Sequence, residues 1–437
     1  MVPFDEAPVR AVHWRMAVAS TAGVFADGYG LGIIGIALSI AAPQLRLDPF
    51  WIGLIGGASL AGLFAGALLI GPICDRFGRR PIFAYNMVLA GAVSLLQFLA
   101  HSGAQLLMLR LLIGFLLGTD YVVSKALLTE WSPRRLRGRM LATLSIGWAG
   151  GYACAYAVGF TLTGDGPDAW RSMLLTSAAP CLLIAPLRLL MPESPLWLVN
   201  HGHADRARQM VRQHLGPGIS PPVVSPVAAT RRGRWRQLLS ARWRVRTVVA
   251  CVFFTCQVIP YFAVGTFVAQ LMSAVHRQGG YLGGLIYNAS LLLGAVAGLL
   301  IVDRIPRRSF LIGSFTAAAA TMLLLSVWRD MDALPMIALF AMFAGVLSAA
   351  SNLVYVYLPE LFPTDLRASG LGMAIAASRI GSAISTFLLP IIVAAYGVRT
   401  ALGACVVVLA CGALVCGRWA PETRFLGLSA LDEENAA

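Results

Sequence analysis

The chain has 437 residues, of which 58% are apolar and only 12% charged, and its formal net charge is +14. This composition excludes an ordinary soluble protein. The positive charge comes from arginine, with Lys125 the only lysine, and the arginines cluster in short loops between apolar stretches. The pattern therefore argues against a nucleic-acid-binding face and for loops beside a membrane.

Twelve apolar runs follow one another along the chain, each near the ~20 residues that a helix needs to cross ~30 Å of hydrocarbon. Backbone groups find no partners in lipid, and the runs lack the alternation typical of a barrel, so we expect helices. The predicted spans are 16–42, 51–74, 81–100, 104–130, 139–164, 170–191, 246–275, 279–302, 309–328, 333–358, 368–394 and 397–419. The predicted fold class is an all-α membrane protein.

Three sequence features occur twice at nearly one offset, which indicates an internal duplication. Asp75-Arg76 with Arg79-Arg80 returns as Asp303-Arg304 with Arg307-Arg308, Glu130 as Glu360, and Pro192-Glu193 as Pro421-Glu422, at offsets of 228, 230 and 229 residues. We therefore predict two pseudo-symmetric six-helix bundles. The N-terminal bundle covers 1–191, a cytoplasmic linker with amphipathic helices covers 192–245, and the C-terminal bundle with a cytoplasmic tail covers 246–437.

The linker contains two candidate helices. Apolar residues between Trp197 and Leu215 recur near helical spacing and stop at Gly216, which predicts one helix over that stretch. Arginines alternate with tryptophan and leucine between Arg231 and Arg246, as in a helix that lies on a membrane surface. Four prolines between Pro217 and Pro226 predict an extended connection between the two helices.

Arginine distribution predicts the orientation of the chain. One set of loops holds nearly all the loop arginines, whereas each alternate loop has at most one, namely Arg46, Arg171, Arg277, Arg329 or Arg399. Because arginine-rich loops stay on the cytoplasmic side, we expect both termini and the linker to be cytoplasmic, in the inner (plasma) membrane of a cell.

The loop Gly71-x-x-x-Asp75-Arg76-x-Gly78-Arg79-Arg80 resembles the signature of the major facilitator superfamily. Pro192-Glu193-Ser194-Pro195 and Glu360-Leu361-Phe362-Pro363 resemble its sugar-porter and organic-ion branches. Asp27-Gly28-Tyr29 and Arg379-Ile380-Gly381 are similar to proton-coupled aromatic-acid and nicotinate symporters. The resemblance implies a secondary transporter whose two halves move about a central substrate site.

The chain departs from these families at three places. Many aromatic-acid symporters have a second acidic residue where this chain has Gly30. Pro306 stands where the first loop copy has Gly78, so the second copy is degenerate. Span five lacks the Gly-Pro pair typical of drug:proton antiporters, which lowers the expectation of export.

Charged residues within a span are costly and indicate function by default. At 1.5 Å per residue, Asp27, Asp120 and Arg379 lie near the middle of their spans, and Lys125 lies closer to the cytoplasm. Asp27 and Asp120 are the candidate proton carriers, since a desolvated carboxylate can load and release a proton. A fixed ion pair is the alternative for each, and for Asp120 that pair would be with Lys125 or Arg379. Asp120 and Lys125 are five residues apart and do not share a helix face, so we expect each to have another partner.

Arg379 is the candidate that holds a substrate carboxylate, because guanidinium can grip it with two hydrogen bonds. Lys125 would supplement this anion site, and Arg110 resembles the family's arginine of span four. Neutral polar side chains within spans are further candidates for substrate binding, although such groups often only bond a neighbouring helix. These are Tyr29, Tyr121, Gln257, Tyr261, Asn288, Asn352 and Tyr355.

The duplicated loop charges are expected to form ion-pair networks across the inner helix ends. In the family such networks close the cytoplasmic side, so these residues form a predicted cytoplasmic gate. The predicted gate residues are Asp75, Arg76, Arg79, Arg80, Glu130, Arg137, Asp303, Arg304, Glu360 and Arg367.

These features predict a proton symporter for a small organic acid, aromatic or sugar-derived, that works by alternating access. A sugar, an organic cation and drug:proton efflux remain alternatives within transport. Outside transport, a membrane-embedded enzyme or a transporter-like sensor is the alternative. The eight cysteines and six histidines have no metal-ligand spacing, and no phosphate-binding loop is present, so we expect no metal, cofactor or ATP drive. The expected partners are the substrate, protons and membrane lipids, for a monomer that binds no nucleic acid.

Overall fold

The structure is a computed structural model that describes residues 2–164, 166–222, 237–275, 280–302, 304–329, 331–362 and 364–423. Within these residues twelve helices are long and apolar enough to cross a membrane, as predicted. Spans one to twelve are Ala11–Gln44, Pro49–Phe77, Arg80–Leu99, Gly103–Trp131, Arg137–Leu162, Ala169–Leu189, Arg244–Thr266, Tyr281–Ile301, Arg307–Val327, Ala333–Glu360, Ser369–Tyr396 and Val398–Trp419. The all-α fold class is confirmed.

Some spans consist of more than one helical piece. Span six divides into Ala169–Thr176 and Ala178–Leu189. Span seven is followed by a further helix, Val268–Val275, and span ten divides into Ala333–Ala350 and Leu353–Glu360. Span three ends in a 3₁₀ turn, Gln97–Leu99, after the α-helix Arg80–Leu96. The helices of spans eight and eleven begin at Gly280 and Thr364, slightly before the spans themselves.

The linker helix predicted from Trp197 to Leu215 is two helices, Pro195–Asn200 and Ala204–Leu215. Gly202 separates them with a φ of +79°, a conformation that glycine adopts at little cost. The second helix ends at Gly216 (φ +105°), as predicted. Of the surface helix predicted from Arg231 to Arg246, residues 231–236 lie outside the described residues. In the remainder a bend and turns at 239–243 interrupt the helix, and Arg244 already begins span seven, so the prediction of one continuous surface helix up to Arg246 is wrong.

The chain separates into two compact units. Unit 1 comprises Met1–Ile33, Ala61–Ala155 and Arg171–Ala228, and unit 2 comprises Ile34–Leu60, Tyr156–Trp170 and Ala229–Ala437. The bundle and linker boundaries predicted from sequence, 1–191, 192–245 and 246–437, stay predictions.

Within unit 1, spans two and four approach closely at Gly118. A Cβ on Gly118 would lie 2.1 Å from the carbonyl oxygen of Leu63, so a larger residue there would separate the helices. Close backbone contact of this kind replaces the hydrophobic drive that helices lack in lipid.

The first residues of the chain pack onto unit 1 as an N-terminal strap, defined as residues 2–7. A 3₁₀ turn, Phe4–Glu6, buries the Phe4 ring against Trp131 at a centroid distance of 6.1 Å. Val2 donates to the carbonyl of Gly218 at 2.9 Å and accepts from Ser220 at 3.0 Å. The strap therefore joins the end of span four to the segment that follows the second linker helix.

Candidate functional site

Three charged side chains meet in unit 1, and all are fully buried: Asp27 of span one, Asp120 of span four and Arg188 of span six. Both terminal nitrogens of the Arg188 guanidinium donate to the Asp120 carboxylate, one to each oxygen, and the Nη2–Oδ2 distance is 3.0 Å. The pair is a buried salt bridge with two points of contact. Such a pair is directional, because both planes must align.

The surroundings of Arg188 hold its guanidinium in place. Nε donates to the carbonyl of Ala19 at 3.2 Å, and Nη2 also donates to the hydroxyl of Ser124 at 3.1 Å. Ser124 in turn donates to Oδ2 of Asp120 at 2.9 Å, one helical turn away on the same face. The guanidinium carbon lies 4.1 Å from the ring centroid of Phe83. Every side of the guanidinium therefore has a partner.

Span one makes room for this ion pair at Gly23. A Cβ at that position would lie 1.5 Å from Nη2 of Arg188 and 3.0 Å from Oδ2 of Asp120. Any side chain there would displace the guanidinium, so the glycine is part of the site.

Asp27 differs from Asp120 in that both its carboxylate oxygens are buried without a hydrogen-bond donor among the described residues. Its carboxyl group lies beside that of Asp120, close enough for a hydrogen bond if one of the two holds a proton. Arg188 and the thiol of Cys181, both on span six, also lie close enough to interact with it electrostatically. One guanidinium thus lies near two carboxyl groups and donates hydrogen bonds to that of Asp120.

Arg188 donates to both oxygens of Asp120, so the alternative pairing of Asp120 with Lys125 or Arg379 is wrong. Lys125 instead places its ammonium 3.5 Å from the ring centroid of Tyr121. Sequence reasoning missed Arg188 because it lies one residue before the end of span six, where arginines normally mark topology. The available signal was its isolation, since it is the only charged residue between 172 and 192.

Lys125 borders a cluster of aromatic side chains on spans four and five, which we call the aromatic wall: Tyr121, Trp148 and Tyr152. The rings of Tyr121 and Trp148 meet edge to face at 6.5 Å, and Trp148 and Tyr152 are 6.1 Å apart at 33°. Lys125 and Trp148 are half-buried, whereas the two tyrosines are buried. A cation beside aromatic faces suits a ligand that has both a flat ring and a carboxylate.

Two other polar groups of unit 1 bond neighbouring helices. The hydroxyl of Tyr29 donates to Oγ1 of Thr176 on span six at 2.8 Å. Arg110 is fully buried, and its Nη1 donates to the carbonyl of Gly30 at 2.9 Å. Gly30, one of the positions where the chain departs from the aromatic-acid symporters, thus offers its backbone carbonyl to Arg110. A substrate role for Tyr29 stays a prediction.

In unit 2, Arg379 of span eleven lies among aromatic rings. Its guanidinium carbon is 6.0 Å from the ring centroid of Phe254 and 5.7 Å from that of Phe262, both on span seven. Tyr261 packs against Phe262 at 5.3 Å. Gln257 donates to the hydroxyl of Ser351 at 3.0 Å, and its amide oxygen is buried without a donor among the described residues.

The remaining neutral candidates of unit 2 differ in their surroundings. Asn352 donates to the carbonyl of Ala295 on span eight at 3.1 Å, a bond that joins two helices. Asn288 donates to the carbonyl of Gly284 at 2.8 Å, while its amide oxygen is buried without a donor among the described residues. Tyr355 is half-buried. The side chain of Asn352 therefore links two helices, whereas the amide oxygen of Asn288 could accept a hydrogen bond from a ligand.

The predicted gate residues of unit 1 form a network at the start of span three. Arg79 pairs with Asp75 at 3.4 Å and with Glu130 at 3.3 Å. The carboxylate of Glu193 accepts from the backbone N–H groups of Arg79 at 3.1 Å and Arg80 at 3.0 Å. Glu193 is missing from the predicted gate, although it caps the first turn of span three.

Unit 2 repeats this network at the start of span nine. Arg307 lies 3.7 Å from Glu360, as Arg79 lies beside Glu130. Glu422 accepts from the backbone of Arg307 at 2.9 Å and of Arg308 at 3.0 Å, as Glu193 does in unit 1. The duplication seen in the sequence is thus a duplication of contacts. The degenerate position Pro306 begins span nine without disturbing them.

Some gate expectations differ from the structure. Arg137, expected within the network around Glu130, pairs instead with Asp5 of the N-terminal strap at 3.0 Å. Arg79 already pairs with one oxygen of Glu130, and the strap brings the carboxylate of Asp5 within reach of Arg137. Arg76 lies 5.3 Å from the ring centroid of Phe77, and Arg304 is exposed. Asp303 and the side chain of Arg367 lie outside the described residues.

Comparison with known proteins supports one family. The profile of the family "Sugar (and other) transporter" matches residues 16–434. The "Inner membrane metabolite transport protein YgcS" of Escherichia coli (strain K12) is 39% identical over 429 residues, which cover 98% of this chain and 96% of that protein. The "Niacin transporter NiaP" of Acinetobacter baylyi is 26% identical over 386 residues, which cover 86% of each chain.

A solved structure shows the same fold. The inward open conformation of the xylose transporter XylE from E. coli aligns with a TM-score of 0.78 at 20% identity, and the alignment covers 97% of this chain and 99% of that one.

Proposed function

The chain belongs to the sugar (and other) transporter family of the major facilitator superfamily, and from that premise we propose that it is a proton symporter for a small organic acid. Membership makes it a multi-pass membrane transporter of the sugar and metabolite type, and not an enzyme. The coupled proton and the acidic substrate go beyond membership, and they are supported by the charged side chains of unit 1.

The buried group of Asp27, Asp120 and Arg188 is the observation that carries the proposal. Arg188 compensates the charge of Asp120, which leaves Asp27 as a second carboxylate in a place with no solvent contact. An uncompensated buried charge is costly, and a proton on Asp27 removes it. Asp27 is therefore the proton carrier in this proposal, and Asp120 the fixed anion.

Burial of Asp27 also links the proton to movement of the protein. A carboxyl group that water does not reach cannot exchange its proton until the surrounding helices rearrange. Protonation and conformation are then linked equilibria, so each biases the other. This linkage is the thermodynamic requirement for a pH gradient to drive accumulation of a substrate.

The aromatic wall and Lys125 support a substrate that is an aromatic acid. A flat ring can pack on Trp148 while its carboxylate pairs with the ammonium of Lys125. The niacin transporter among the relatives is named for an aromatic acid, which agrees with this substrate class. Arg379 is the candidate of unit 2 for the same carboxylate.

A sugar or sugar acid is the second candidate, favoured by a specific observation in unit 2. The amide oxygens of Gln257 and Asn288 are buried acceptors without a donor among the described residues, and a sugar hydroxyl would satisfy them. Organic-cation transport and drug efflux have no comparable support. A monomer in the inner membrane with cytoplasmic termini completes the proposal.

Uptake into proteoliposomes with an imposed pH gradient tests the proposal. The panel contains aromatic acids, sugar acids, sugars and organic cations. We expect accumulation of an aromatic acid that collapses when a protonophore removes the gradient. Accumulation that does not depend on the pH gradient would contradict proton coupling. Gradient-driven accumulation of sugars but of no acid would contradict an acidic substrate.

A further inference from the structure

A cavity of about 540 Å³ lies in unit 2 at the ends of spans one, two, seven and eleven that face away from the arginine-rich loops. Its floor is made by the buried side chains of Phe267, Leu271 and Leu389. Its rim contains Pro43 and Pro49, on either side of the turn between spans one and two. The volume lies within the range of small-molecule sites, roughly 300–1,000 Å³.

Among the residues that the structure describes, one charged side chain lines this cavity, that of Arg46. Arg46 is exposed, and its guanidinium makes no hydrogen bond or ion pair within the part of the chain that the structure describes. The acid closest in sequence, Asp48, does not neutralise it. Asp48 instead accepts from the backbone N–H of Trp51 at 2.8 Å, where span two begins.

The backbone explains why a guanidinium stands at this mouth. Arg46 has a φ of +51°, and Leu47 donates to the carbonyl of Ala42 at 2.9 Å, which together close span one with a Schellman motif. This position is usually a glycine or an asparagine. The left-handed conformation is unfavourable for arginine, which has a Cβ. The arginine at this position places a cation beside an apolar cavity.

Below the cavity the same spans are in direct contact. A Cβ on Gly35 would lie 1.7 Å from the carbonyl oxygen of Thr266, and one on Gly53 would lie 2.1 Å from that of Phe387. The cavity is therefore the widened outer end of a tight junction between spans one and seven and between spans two and eleven.

We propose that this cavity is a binding site for an anionic phospholipid, with an acyl chain in the cavity and the phosphate on Arg46. The apolar floor suits hydrocarbon, and the span ends place Arg46 at the depth of lipid headgroups. Charge complementarity selects an anionic lipid over a zwitterionic one, because the described lining of the cavity presents a cation and no acid. A bound chain would hold the outer ends of these four spans together.

The test uses the purified full-length chain, delipidated in detergent, with lipid retention measured by native mass spectrometry. The probes are phosphatidylglycerol and phosphatidylethanolamine with identical acyl chains. The variants are Arg46→Gln, which removes the charge, and Ala42→Phe or Val393→Phe, either of which fills the cavity. Arg399→Gln is the matched control, since Arg399 is exposed at the same end of the molecule but does not line the cavity.

We expect the wild type and Arg399→Gln to retain phosphatidylglycerol in preference to phosphatidylethanolamine. Arg46→Gln should weaken phosphatidylglycerol retention about tenfold, the effect of losing one charge-assisted contact. A folded cavity-filling variant should lose retention to a similar degree.

Equal phosphatidylglycerol retention by all variants would overturn the site. Equal retention of the two lipids would overturn the role of Arg46. Displacement of the lipid by benzoate, with the same dependence on Arg46, would assign the cavity to a small acid and overturn the proposed occupant.

Discussion

Arg188 and Asp120 form a two-point ion pair in which neither side chain is exposed to solvent. A buried pair of this kind contributes little net stability, since desolvation offsets the attraction between the charges. Removing one partner is different, because an uncompensated charge remains. The pair therefore makes its strongest prediction through single and double substitutions.

Arg188→Gln should destabilise the protein by about 3–5 kcal/mol, because Asp120 and Asp27 would then share a buried site without a cation. The double variant Arg188→Gln with Asp120→Asn should recover most of that loss, since no unpaired charge is left. Thermal unfolding in detergent measures both. A single variant as stable as the wild type, or a double variant as unstable as the single, would contradict the pairing.

Asp27→Asn should fold normally and lose proton-driven accumulation, because the amide resembles the protonated carboxyl group in shape and charge. Substrate exchange across the membrane without a gradient should continue, since exchange needs no net proton movement. Wild-type uptake should fall as the external pH rises, whereas uptake by Asp27→Asn should not follow pH. Gradient-driven accumulation by this variant would assign the proton to another group.

Gly23→Ala should destabilise the protein by about 1–3 kcal/mol, the usual range for overpacking, because its Cβ would collide with the Arg188 guanidinium. Gly30→Ala, two turns along the same helix, is the matched control. Its Cβ would meet only Cδ1 of Leu117 at 3.8 Å, an ordinary contact. Unfolding midpoints compare the two, and an equal effect would show that the space at Gly23 is not special.

The contrast between Asp27 and Arg188 shows how far the sequence predicts this site. Span positions follow from apolar runs, so the depth of Asp27, Asp120 and Arg379 could be estimated from residue counts alone. The pairing of Asp120 with Arg188 could not be predicted in this way, because it depends on how the helices are rotated about their axes and on which of their faces meet. Arg188 lies near a helix end, where the common role of arginine hides a rarer one.

The repeated loops show the same limit on what the sequence predicts. The offset between Glu130 and Glu360 predicts a network in both halves, but it does not predict the partners. Glu130 pairs with Arg79 and Glu360 with Arg307, an arginine that is missing from the predicted gate. The partner of Arg137 depends on where the N-terminal strap lies, and nothing in the local sequence of Asp5 indicates that position. Local patterns thus predict helices and repeats, whereas contacts between distant segments require coordinates.

Trp148→Ala should raise the KM for an aromatic acid about three- to tenfold, the effect of losing one aromatic packing partner, and should change a sugar acid less. Trp148→Phe should keep most of the affinity, because it keeps a ring. Trp14→Ala is the control, since Trp14 is 60% exposed. Uptake kinetics in proteoliposomes measure each KM. Equal losses for both acids would argue against stacking as the basis of specificity.

Glu193→Gln and Glu422→Gln should each destabilise the protein by about 0.5–2 kcal/mol, as loss of a helix cap does. Each carboxylate accepts from two successive backbone N–H groups, Glu193 at span three and Glu422 at span nine. An amide keeps one acceptor oxygen and loses the charge that favours a helix start. Because the two geometries match, the two effects should be similar in size.

Asp205→Asn is the control for these caps, since Asp205 is almost fully exposed and pairs with Arg208 one turn away. Its unfolding midpoint should equal that of the wild type. If Glu193→Gln and Glu422→Gln lower the unfolding midpoint by very different amounts, the two networks share their geometry but not their contribution to stability. One bundle then depends on its loop network more than the other. If both leave the midpoint unchanged, water replaces the lost acceptor at each helix start, and the two networks act through conformation instead of stability.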